Sequence, residues 1–542
     1  MEFTFLGTIF TLYDVYLVVL NALISMAVAL TVVISVDRLL HVVKFIQGKI
    51  KARVTGVRPE QKFKLQPMPD QKHFAHMYPK VAVQLPMFNE RFVCEGIIDH
   101  ACQMDWPKDK YIVQVLDDST CAETRRVVDS RVIHWREMGV NCVCIRRTNR
   151  QGYKAGALKE GLDLLRDYDH VAIFDADFKP QSDFMLRTIP YLIHNDDVGY
   201  VQARWVFENP EESYLTKAQE LSLNYHMKCE QHVHFASGSY FNFNGTAGVW
   251  RRQCIEDVGG WNSRTTVEDM DLSLRAYVGG WRAVFLEDLT VMNELPASFN
   301  AYRKQQHRWT CGPVQLWRRA SPAIWASKLP LMKKIELNMM YFGIRKTTSH
   351  FIALGFFCFL VPLTVYTPEV SIPLWALVHL PVMVTLTTAF FTPKGWAYCI
   401  PYVLFENAMS VVKVGAVVNG LFDLGRAQEW IVTQKNGNKN VKSSRFRLER
   451  VYVAETVMSI FVLSSAAYGS FLLSRWTFCV FLLLQGAAFV GVGLNFVDSG
   501  AILGRGVYKI DPLLNRLTET LTPRKKGFRR VNTAPSSINV AQ

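Results

Sequence analysis

The sequence predicts an α/β domain, built on a mostly parallel sheet and joined to about five membrane-spanning helices. Between 79 and 320, apolar β-rich runs alternate with helical patterns, as is typical of parallel strands covered by helices on both faces. Uncharged stretches that are long enough to cross a bilayer lie on both sides of this region. With 542 residues, the chain has room for both parts.

The elements of the α/β domain follow one another at short intervals. Four apolar runs predict strands, and the segments between them have helical periodicity. We expect strands at 81–85, 111–116, 143–145 and 171–174, and helices from about 90, at 124–138 and at 154–166.

Polar motifs follow three of these strands. They are Pro86-Met87-Phe88-Asn89-Glu90, Asp117-Asp118 and Asp175-Ala176-Asp177. Because ligands bind beyond the carboxyl ends of parallel strands, we expect these motifs to share one site. A single Asp-Asp pair after a strand would more often be a turn or a helix cap.

The uncharged stretch at 15–36 predicts a first membrane helix. Its 22 residues are enough to cross about 30 Å at about 1.5 Å per residue. A signal peptide is the alternative, but its apolar region usually has about 7–15 residues and follows basic residues, whereas here the basic residues come after. Four more apolar stretches complete the five predicted spans: 351–366, 372–391, 456–474 and 477–497.

Two further segments are apolar but charged. The stretch 331–350 predicts an amphipathic helix on the membrane surface. The stretch 402–422 contains Glu406 and Lys413, each of which would cost about 2.5–3.5 kcal/mol at mid-bilayer. We therefore favour an interfacial helix there, the alternative being that these two side chains line a watery path.

The predicted organisation has eight parts. These are an N-terminal transmembrane helix (1–36), a basic linker (37–78), the α/β domain (79–320), an amphipathic interfacial helix (321–350), transmembrane helices 2 and 3 (351–391), a cytosolic or interfacial segment (392–454), transmembrane helices 4 and 5 (455–497) and a basic C-terminal tail (498–542).

The net charge of +14 is concentrated in three basic clusters, at 38–64, 435–450 and 505–530. Because they flank the predicted spans, the positive-inside rule places them and the α/β domain in the cytosol. Nucleic-acid binding is the alternative for a basic chain, but charges beside membrane spans favour topology and lipid headgroups. The 11 cysteines include no C-x-x-C pair, as expected for reduced thiols in a reducing compartment.

The carboxylates of Asp175 and Asp177 predict a site for Mg²⁺ or Mn²⁺. Alternate residues of an extended segment share a face, and hard cations prefer oxygen ligands. Such a cation would neutralise the charge of a leaving nucleoside diphosphate. An acidic turn that ends a strand is the structural alternative.

Asp269, in the run Thr265-Thr266-Val267-Glu268-Asp269, is our candidate general base for an acceptor hydroxyl, with Glu268 beside it. Helix capping would also explain this pair. Asp118 is the second candidate catalytic residue. We expect Asp118 and four other residues to contact the base, ribose or phosphates of the donor: Asp117, Asn89, Glu90 and Lys154.

Gln305, Arg308 and Trp309 lie at i, i+3 and i+4, on one face of a predicted helix. Arg308 suits a pyrophosphate, and Trp309 offers a plane on which a pyranose ring can stack. Together with the carboxylates, these residues are what inverting sugar transfer from a nucleotide sugar needs. The three histidines His226, His232 and His234 are interpreted as structural, and Asn244-Gly245-Thr246 as a sequon that a cytosolic location leaves unused.

The combination of Asp117-Asp118, Asp175-x-Asp177, Glu268-Asp269 and Gln305-x-x-Arg308-Trp309 resembles the processive glycosyltransferases of family 2. The runs 115–120, 152–161 and 243–250 and the motif Arg426-x-x-Glu429-Trp430 are similar to the plant and algal cellulose synthase-like A and C groups.

The resemblance implies a GT-A-type domain in a multi-pass Golgi membrane protein that extends a β-1,4-glycan. Length near 540 residues is more like the A group, which implies GDP-mannose and GDP-glucose as donors and a mannan or glucomannan product. The C group would imply a glucan made from UDP-glucose.

Two other classes of protein are alternatives. A catalytically silent membrane scaffold would keep the fold without the chemistry, but Asp269 and the Asp-x-Asp motif are both intact. A transporter is disfavoured because one large extramembrane domain and no paired halves accompany the predicted spans.

Overall fold

The computed structural model describes residues 2–5, 8–424, 451–471, 473 and 476–497. Several predictions lie outside these described residues. They concern Arg426-x-x-Glu429-Trp430, the basic clusters at 435–450 and 505–530, and the C-terminal tail.

A seven-stranded sheet forms the centre of the α/β domain, in the order β5-β4-β3-β6-β8-β7-β9. Every neighbouring pair is parallel except those of β8, which runs antiparallel to β6 and β7. The predicted mostly parallel sheet is therefore confirmed. An antiparallel pair, β1 (Glu2–Phe5) and β2 (Thr8–Thr11), precedes it, and the sheet itself contains β3 (Val81–Met87), β4 (Tyr111–Asp117), β5 (Cys142–Ile145), β6 (His170–Ile173), β7 (Val198–Phe207), β8 (Gly248–Arg251) and β9 (Arg282–Asn293).

Helices pack against the strands of this sheet, among them the helices at Cys94–Cys102, Ala122–Glu137, Tyr153–Asp163 and Phe184–Ile193. Strands β3 and β4 are buried along their whole length, which explains why they are apolar without alternation. A π-helical turn at His226–Glu230 and short 3₁₀ turns at Pro59–Lys62 and Ala75–Met77 interrupt the longer elements. The helices up to the end of the domain are α1 (Leu12–Thr55), α2 (Gln71–Phe74), α3 (Cys94–Cys102), α4 (Ala122–Glu137), α5 (Tyr153–Asp163), α6 (Phe184–Ile193), α7 (Tyr214–Tyr225), α8 (Gln231–Ala236), α9 (Arg252–Asp257), α10 (Glu268–Val278) and α11 (Phe299–Ala326).

Five apolar helices follow the domain. Within the described residues, α1 and three of these helices are long and apolar enough to cross a membrane, and two more are shorter apolar helices. The long ones are α12 (Leu331–Leu363), α14 (Gly395–Phe422) and α15 (Val453–Phe471), and the shorter ones are α13 (Trp375–Ala389) and α16 (Trp476–Gly493).

The predicted boundaries differ from the structure in two places. The amphipathic segment and the second span form one continuous helix, α12, which contains π-helical stretches at Glu336–Thr348 and Ile352–Leu360. Helix α1 continues to Thr55, so the first part of the predicted linker is helical. It reaches the domain surface, where Lys49 Nζ donates to Glu287 Oε2 at 2.6 Å.

Helix α14 contains the stretch 402–422, for which the sequence favoured an interfacial helix, with two charged side chains lining a watery path as the alternative. Its apolar side is buried in a cluster with other apolar helices, to which it contributes Phe405 and Met409. Its charged side chains pair with each other, with Lys413 Nζ 2.5 Å from Glu406 Oε2, and both line a cavity. Two charged side chains that pair with each other on a cavity wall are the arrangement that the path-lining alternative predicts.

Candidate active site

Strands β3, β4 and β6 are neighbours, so the loops after them meet at one edge of the sheet. Strand β8 runs antiparallel to β6 and pairs Gly248 with Ile173, which brings the loop before β8 to the same edge. The first turns of α5 and α10 and one face of α11 close around this point. The candidate site is therefore assembled from segments far apart in the sequence.

Asp175 and Asp177 follow β6 as predicted. The backbone N–H of Asp175 donates to Thr246 Oγ1 at 2.8 Å, which joins this turn to the loop before β8. The backbone N–H of Glu294 donates to Asp177 Oδ2 at 3.3 Å. Both carboxylates line the central cavity.

Lys154 connects the turn of Asp175 to the loop before β8. Its ammonium donates to Asp175 Oδ1 at 2.5 Å and to the carbonyl of Gly245 at 2.9 Å, and its side chain is almost fully buried. Burial alone would lower the pKa of Lys154, but the carboxylates of Asp175 and Glu268 outweigh this and raise it. The site thus holds a fixed positive charge among carboxylates.

Glu268 and Asp269 form the first turn of α10, where the helix dipole favours negative charge. Burial raises the pKa of Asp269 to about 7, and the Glu268 carboxylate acts in the same direction while Lys154 opposes it. The pKa of Glu268 is also raised, mainly by burial. A carboxyl group with a pKa near neutrality is suited to accept a proton at physiological pH.

Gln305, Arg308 and Trp309 lie together on α11 and line the same cavity as Asp269. Helix α11 approaches the segment before α10 closely at Gly312, where a Cβ atom would lie only 2.5 Å from Val267 Cγ1. This close packing fixes the distance between the aromatic face of α11 and the carboxylates of α10.

The cavity of about 500 Å³ continues from these residues into the helical region. Beyond Trp309 its lining includes polar and aromatic side chains of the apolar helices α12, α13 and α14. They include Ser349, His350, Thr388, Tyr402, Glu406, Asn407, Ser410 and Lys413.

Three predicted site residues do not line this cavity and are engaged elsewhere. Asp117 accepts from Ser119 N at 3.0 Å and from Arg146 Nε at 2.8 Å and is fully buried. Asp118 forms a two-pronged ion pair with Arg147.

Asn89 has a left-handed backbone, with φ of 55°, and its Oδ1 accepts from Thr120 N and Cys121 N. It therefore ties the loop after β3 to the loop after β4. Glu90, from the same loop, does line the cavity. The predicted contacts of Asp117, Asp118, Asn89 and Glu90 with the base and ribose stay predictions.

The loop before β8 contributes to the site in a way that was not predicted from the sequence. Gly245, with φ of 82°, lies so near Asp269 that a Cβ atom would be 2.9 Å from its Oδ2. Asn244, the sequon asparagine, lies on the cavity wall and hydrogen-bonds with Gln231. The signal in the sequence was a glycine between two residues whose side chains form hydrogen bonds, Asn244 and Thr246.

The three histidines do not form a common metal site. His226 lies 2.8 Å from Glu230, and His232 lies 2.9 Å from Glu287, as separate pairs. His234 contacts His41 and Arg345 instead. Among the residues that the structure describes, no group of three or more His, Cys, Asp or Glu side chains is arranged to hold a metal.

Comparison with known proteins connects this geometry to a family. Residues 79–312 match the family model described as "Glycosyltransferase like family 2". The chain is 41% identical to glucomannan 4-beta-mannosyltransferase 1 of Cyamopsis tetragonoloba, over 89% of this chain and 94% of that protein. It is 44% identical to glucomannan 4-beta-mannosyltransferase 7 of Arabidopsis thaliana, over 81% of each chain.

The chain belongs to the glucomannan 4-beta-mannosyltransferase family. The resemblance to the cellulose synthase-like A group is thereby confirmed, and the chain is a glycosyltransferase. Among solved structures it is similar to mannosyltransferase PcManGT from Pyrobaculum calidifontis, determined in complex with GDP-Man and Mn²⁺. That match has 19% identity and a TM-score of 0.45, and covers 73% of this chain and 99% of the other.

The donor set of this glycosyltransferase fits a divalent cation that is shared with substrate. Asp175 and Asp177 offer carboxylate oxygens on one turn, and Mg²⁺ is usually bound by one or two carboxylates together with substrate phosphates. A resident metal with three or more protein ligands does not fit the described residues. Asp175 and Asp177 would therefore hold such an ion only with the diphosphate.

Proposed function

We infer that this glycosyltransferase is processive and builds a β-1,4-linked mannan or glucomannan backbone from GDP-mannose, with GDP-glucose as a second donor. One observation carries this proposal. Relatives that match over 81–89% of the chain, at 41–44% identity, are named glucomannan 4-beta-mannosyltransferases. The polar cavity from the carboxylates to the membrane helices agrees with a polymer that leaves through the membrane.

The donor diphosphate is assigned to the edge of the sheet beside Asp175 and Asp177. A bound Mg²⁺ or Mn²⁺ would supply charge neutralisation for the leaving diphosphate. Arg308 lies in the electrostatic field of Glu268 and Asp175 and presents a guanidinium that suits phosphate oxygens. Lys154 holds Asp175 in place and adds a second positive charge near the leaving group.

The transfer step needs one proton acceptor, and Asp269 is our candidate. The hydroxyl oxygen of the acceptor attacks C1 of the donor sugar while the bond from C1 to the diphosphate oxygen breaks. The hydroxyl proton passes to the Asp269 carboxylate, and the nucleoside diphosphate leaves. A single displacement inverts C1, so an α-linked donor gives a β-linked product.

Trp309 is assigned to the acceptor. Its indole lines the cavity between Asp269 and the membrane helices, and an aromatic plane is a good surface for a pyranose ring. A chain end held there would lie near the base after each transfer, and the preceding sugars would enter the cavity along α12 and α14. This arrangement supports extension without release.

The positive charge beside the spans supports a catalytic domain on the cytosolic side of the membrane. The family resemblance supports a multi-pass protein in the Golgi membrane. Partners under this proposal are the nucleotide sugar, the growing β-1,4-glycan and the lipid bilayer, without nucleic acid.

The experiment that tests the proposal compares donors side by side. Membranes that contain the full-length protein are supplied with GDP-mannose, with GDP-mannose plus GDP-glucose, or with UDP-glucose, and the products are digested with β-mannanase or β-glucanase. We expect incorporation from GDP-mannose into material that β-mannanase degrades. A product made from UDP-glucose alone that only β-glucanase degrades would support the xyloglucan-type alternative. No incorporation from any donor would favour a silent scaffold.

A further inference from the structure

Four polar side chains form a hydrogen-bonded network on the cavity wall next to the catalytic carboxylates. At its centre, Gln231 Nε2 donates to Asn244 Oδ1 at 2.9 Å, and Asn244 Nδ2 donates back to Gln231 Oε1 at 3.1 Å. Asn242 Nδ2 also donates to Asn244 Oδ1, at 3.0 Å. Because each amide is held by its partners, its donor and acceptor atoms have a fixed orientation. The fourth member is His226.

Both ends of the network are anchored. His226 Nδ1 lies 2.8 Å from Glu230 Oε2, and its Nε2 lies 3.3 Å from Gln231 Nε2 and 3.5 Å from Asn244 Oδ1. At the other end, Tyr341 Oη donates to Asn242 Oδ1 at 3.1 Å. Gln231 and Asn242 are almost fully buried, so the array is rigid as well as oriented.

The network lies next to the site that we assign to the acceptor sugar. Asn244 precedes Gly245, which lies against Asp269, and all four network residues line the cavity that Trp309 also lines. A sugar that stacks on Trp309 with one hydroxyl near Asp269 would therefore have carboxamides within reach of its other hydroxyls. The N–H groups of these amides are engaged within the network, but Gln231 Oε1 and Asn242 Oδ1 each accept a single hydrogen bond there. Each of these two oxygens therefore has a second lone pair for a hydroxyl group of a neutral sugar.

We propose that His226, Gln231, Asn242 and Asn244 read the hydroxyl pattern of the terminal sugar of the growing chain and make the enzyme extend a mannosyl end in preference to a glucosyl end. The proposal rests on the proposed function, since it needs a chain that contains both sugars. Mannose and glucose differ only in configuration at C2. A rigid network discriminates between such isomers because a misplaced hydroxyl leaves a buried polar group without its partner.

A network that only stabilised the loop before β8 would behave differently. Its disruption would slow extension of every acceptor by the same factor, since Gly245 and Asp269 would be displaced whatever sugar lay on Trp309. The ratio of the extension rates on the two acceptors therefore distinguishes recognition of the terminal sugar from stabilisation of the loop before β8.

The test uses purified full-length enzyme with GDP-mannose as the only donor and two short acceptors. One acceptor is a β-1,4-mannooligosaccharide, and the other is identical except for glucose at its non-reducing end. We expect the wild type to extend the mannosyl end with kcat/KM about tenfold higher. Asn244→Asp and Gln231→Glu keep the side-chain size but exchange a donor for an acceptor, and should reduce that preference to about twofold while the KM for GDP-mannose stays unchanged.

Asn195→Asp is the matched control. Asn195 is an equally buried amide that bonds Lys64 and Tyr191 backbone atoms and is not part of the cavity wall. It should leave the acceptor preference intact even if it lowers thermal stability.

Three results would overturn the proposal. They are equal wild-type rates on the two acceptors, an unchanged preference in both variants, and a variant loss of rate that is the same on both acceptors. Equal wild-type rates overturn the proposal even if neither variant folds. A wild type that transfers no mannose to either acceptor but transfers glucose from UDP-glucose would instead contradict the proposed function.

Discussion

The Cα of Gly245 lies so close to Asp269 that a Cβ atom at this position would be 2.9 Å from Oδ2 of the carboxylate. The backbone of Gly245 is also left-handed, with φ of 82°, and its carbonyl accepts from Lys154 at 2.9 Å. The loop before β8 therefore contacts both the candidate base and the lysine that holds Asp175.

Gly245→Ala should reduce polymer synthesis at least tenfold. The added methyl group would push Asp269 from its position, and the left-handed backbone would cost a further ~1–2 kcal/mol. Gly139→Ala is the control, because Gly139 has a similar φ of 76° but no atom within 4 Å of its would-be Cβ. Both variants should lose similar thermal stability, and only Gly245→Ala should lose activity per folded molecule. Equal activity in the two would show that the contact with Asp269 is unimportant.

The sequence was sufficient to predict the first half of the sheet. Strands β3, β4 and β6 begin within one residue of their predicted starts, because continuous apolar runs between polar turns have few alternative structures. The meeting of Glu90 and Asp175 in one cavity also followed from sequence, since parallel strands place their carboxyl ends together.

The rest depended on tertiary contacts that no local pattern reveals. Asp117 pairs with Arg146 and Asp118 pairs with Arg147, and each pair joins residues 29 positions apart. The sequence alone does not indicate that these carboxylates bind arginine side chains. For 402–422 the sequence left an interfacial helix and a path-lining helix as alternatives, because it does not show that Glu406 and Lys413 pair with each other on a cavity wall.

The pH profile should report the ionisation of Asp269. Its pKa is raised to about 7, and only the ionised carboxylate can accept the acceptor proton, so activity is present above this pH and lost below it. The ionised fraction is roughly a tenth at pH 6 and nine-tenths at pH 8, so kcat/KM should rise about tenfold between them. A flat profile over this range would contradict the assignment.

Lys154→Met provides the matching comparison for that profile. The Lys154 ammonium lowers the pKa of Asp269, so its removal should move the inflection to higher pH as well as weaken donor binding. An inflection that stays in place would show that Lys154 does not act on the base.

Trp309→Ala should shorten the products and lower the yield while donor affinity stays largely unchanged. Stacking on an aromatic ring is worth on the order of 1 kcal/mol beyond the buried area, and its loss would let the chain end leave between transfers. Trp325→Ala is the control, since Trp325 lies on the same helix, is 40% exposed and is not part of the cavity wall. Products of normal length from Trp309→Ala would remove Trp309 from the acceptor site, and weakened donor binding alone would move it to the nucleotide side.

Removal of divalent cations should stop sugar transfer, and Mg²⁺ or Mn²⁺ should restore it. Asp177→Ala should weaken donor binding and turnover together, because it removes one of two carboxylates that would share the ion with the diphosphate. Asp167→Ala, which changes an exposed carboxylate beyond α5, should have little effect. Full incorporation in excess EDTA would exclude a metal from the reaction.

The most direct test of the account is mannose transfer from GDP-mannose by Asp269→Asn, with donor binding measured on the same preparation. The amide has the shape of the carboxylate but cannot accept the hydroxyl proton. We predict a loss of polymer synthesis on the order of 10²–10⁴-fold with a nearly unchanged Kd for GDP-mannose. Polymer synthesis at close to the wild-type rate would contradict the central claim that Asp269 is the base of this glycosyltransferase.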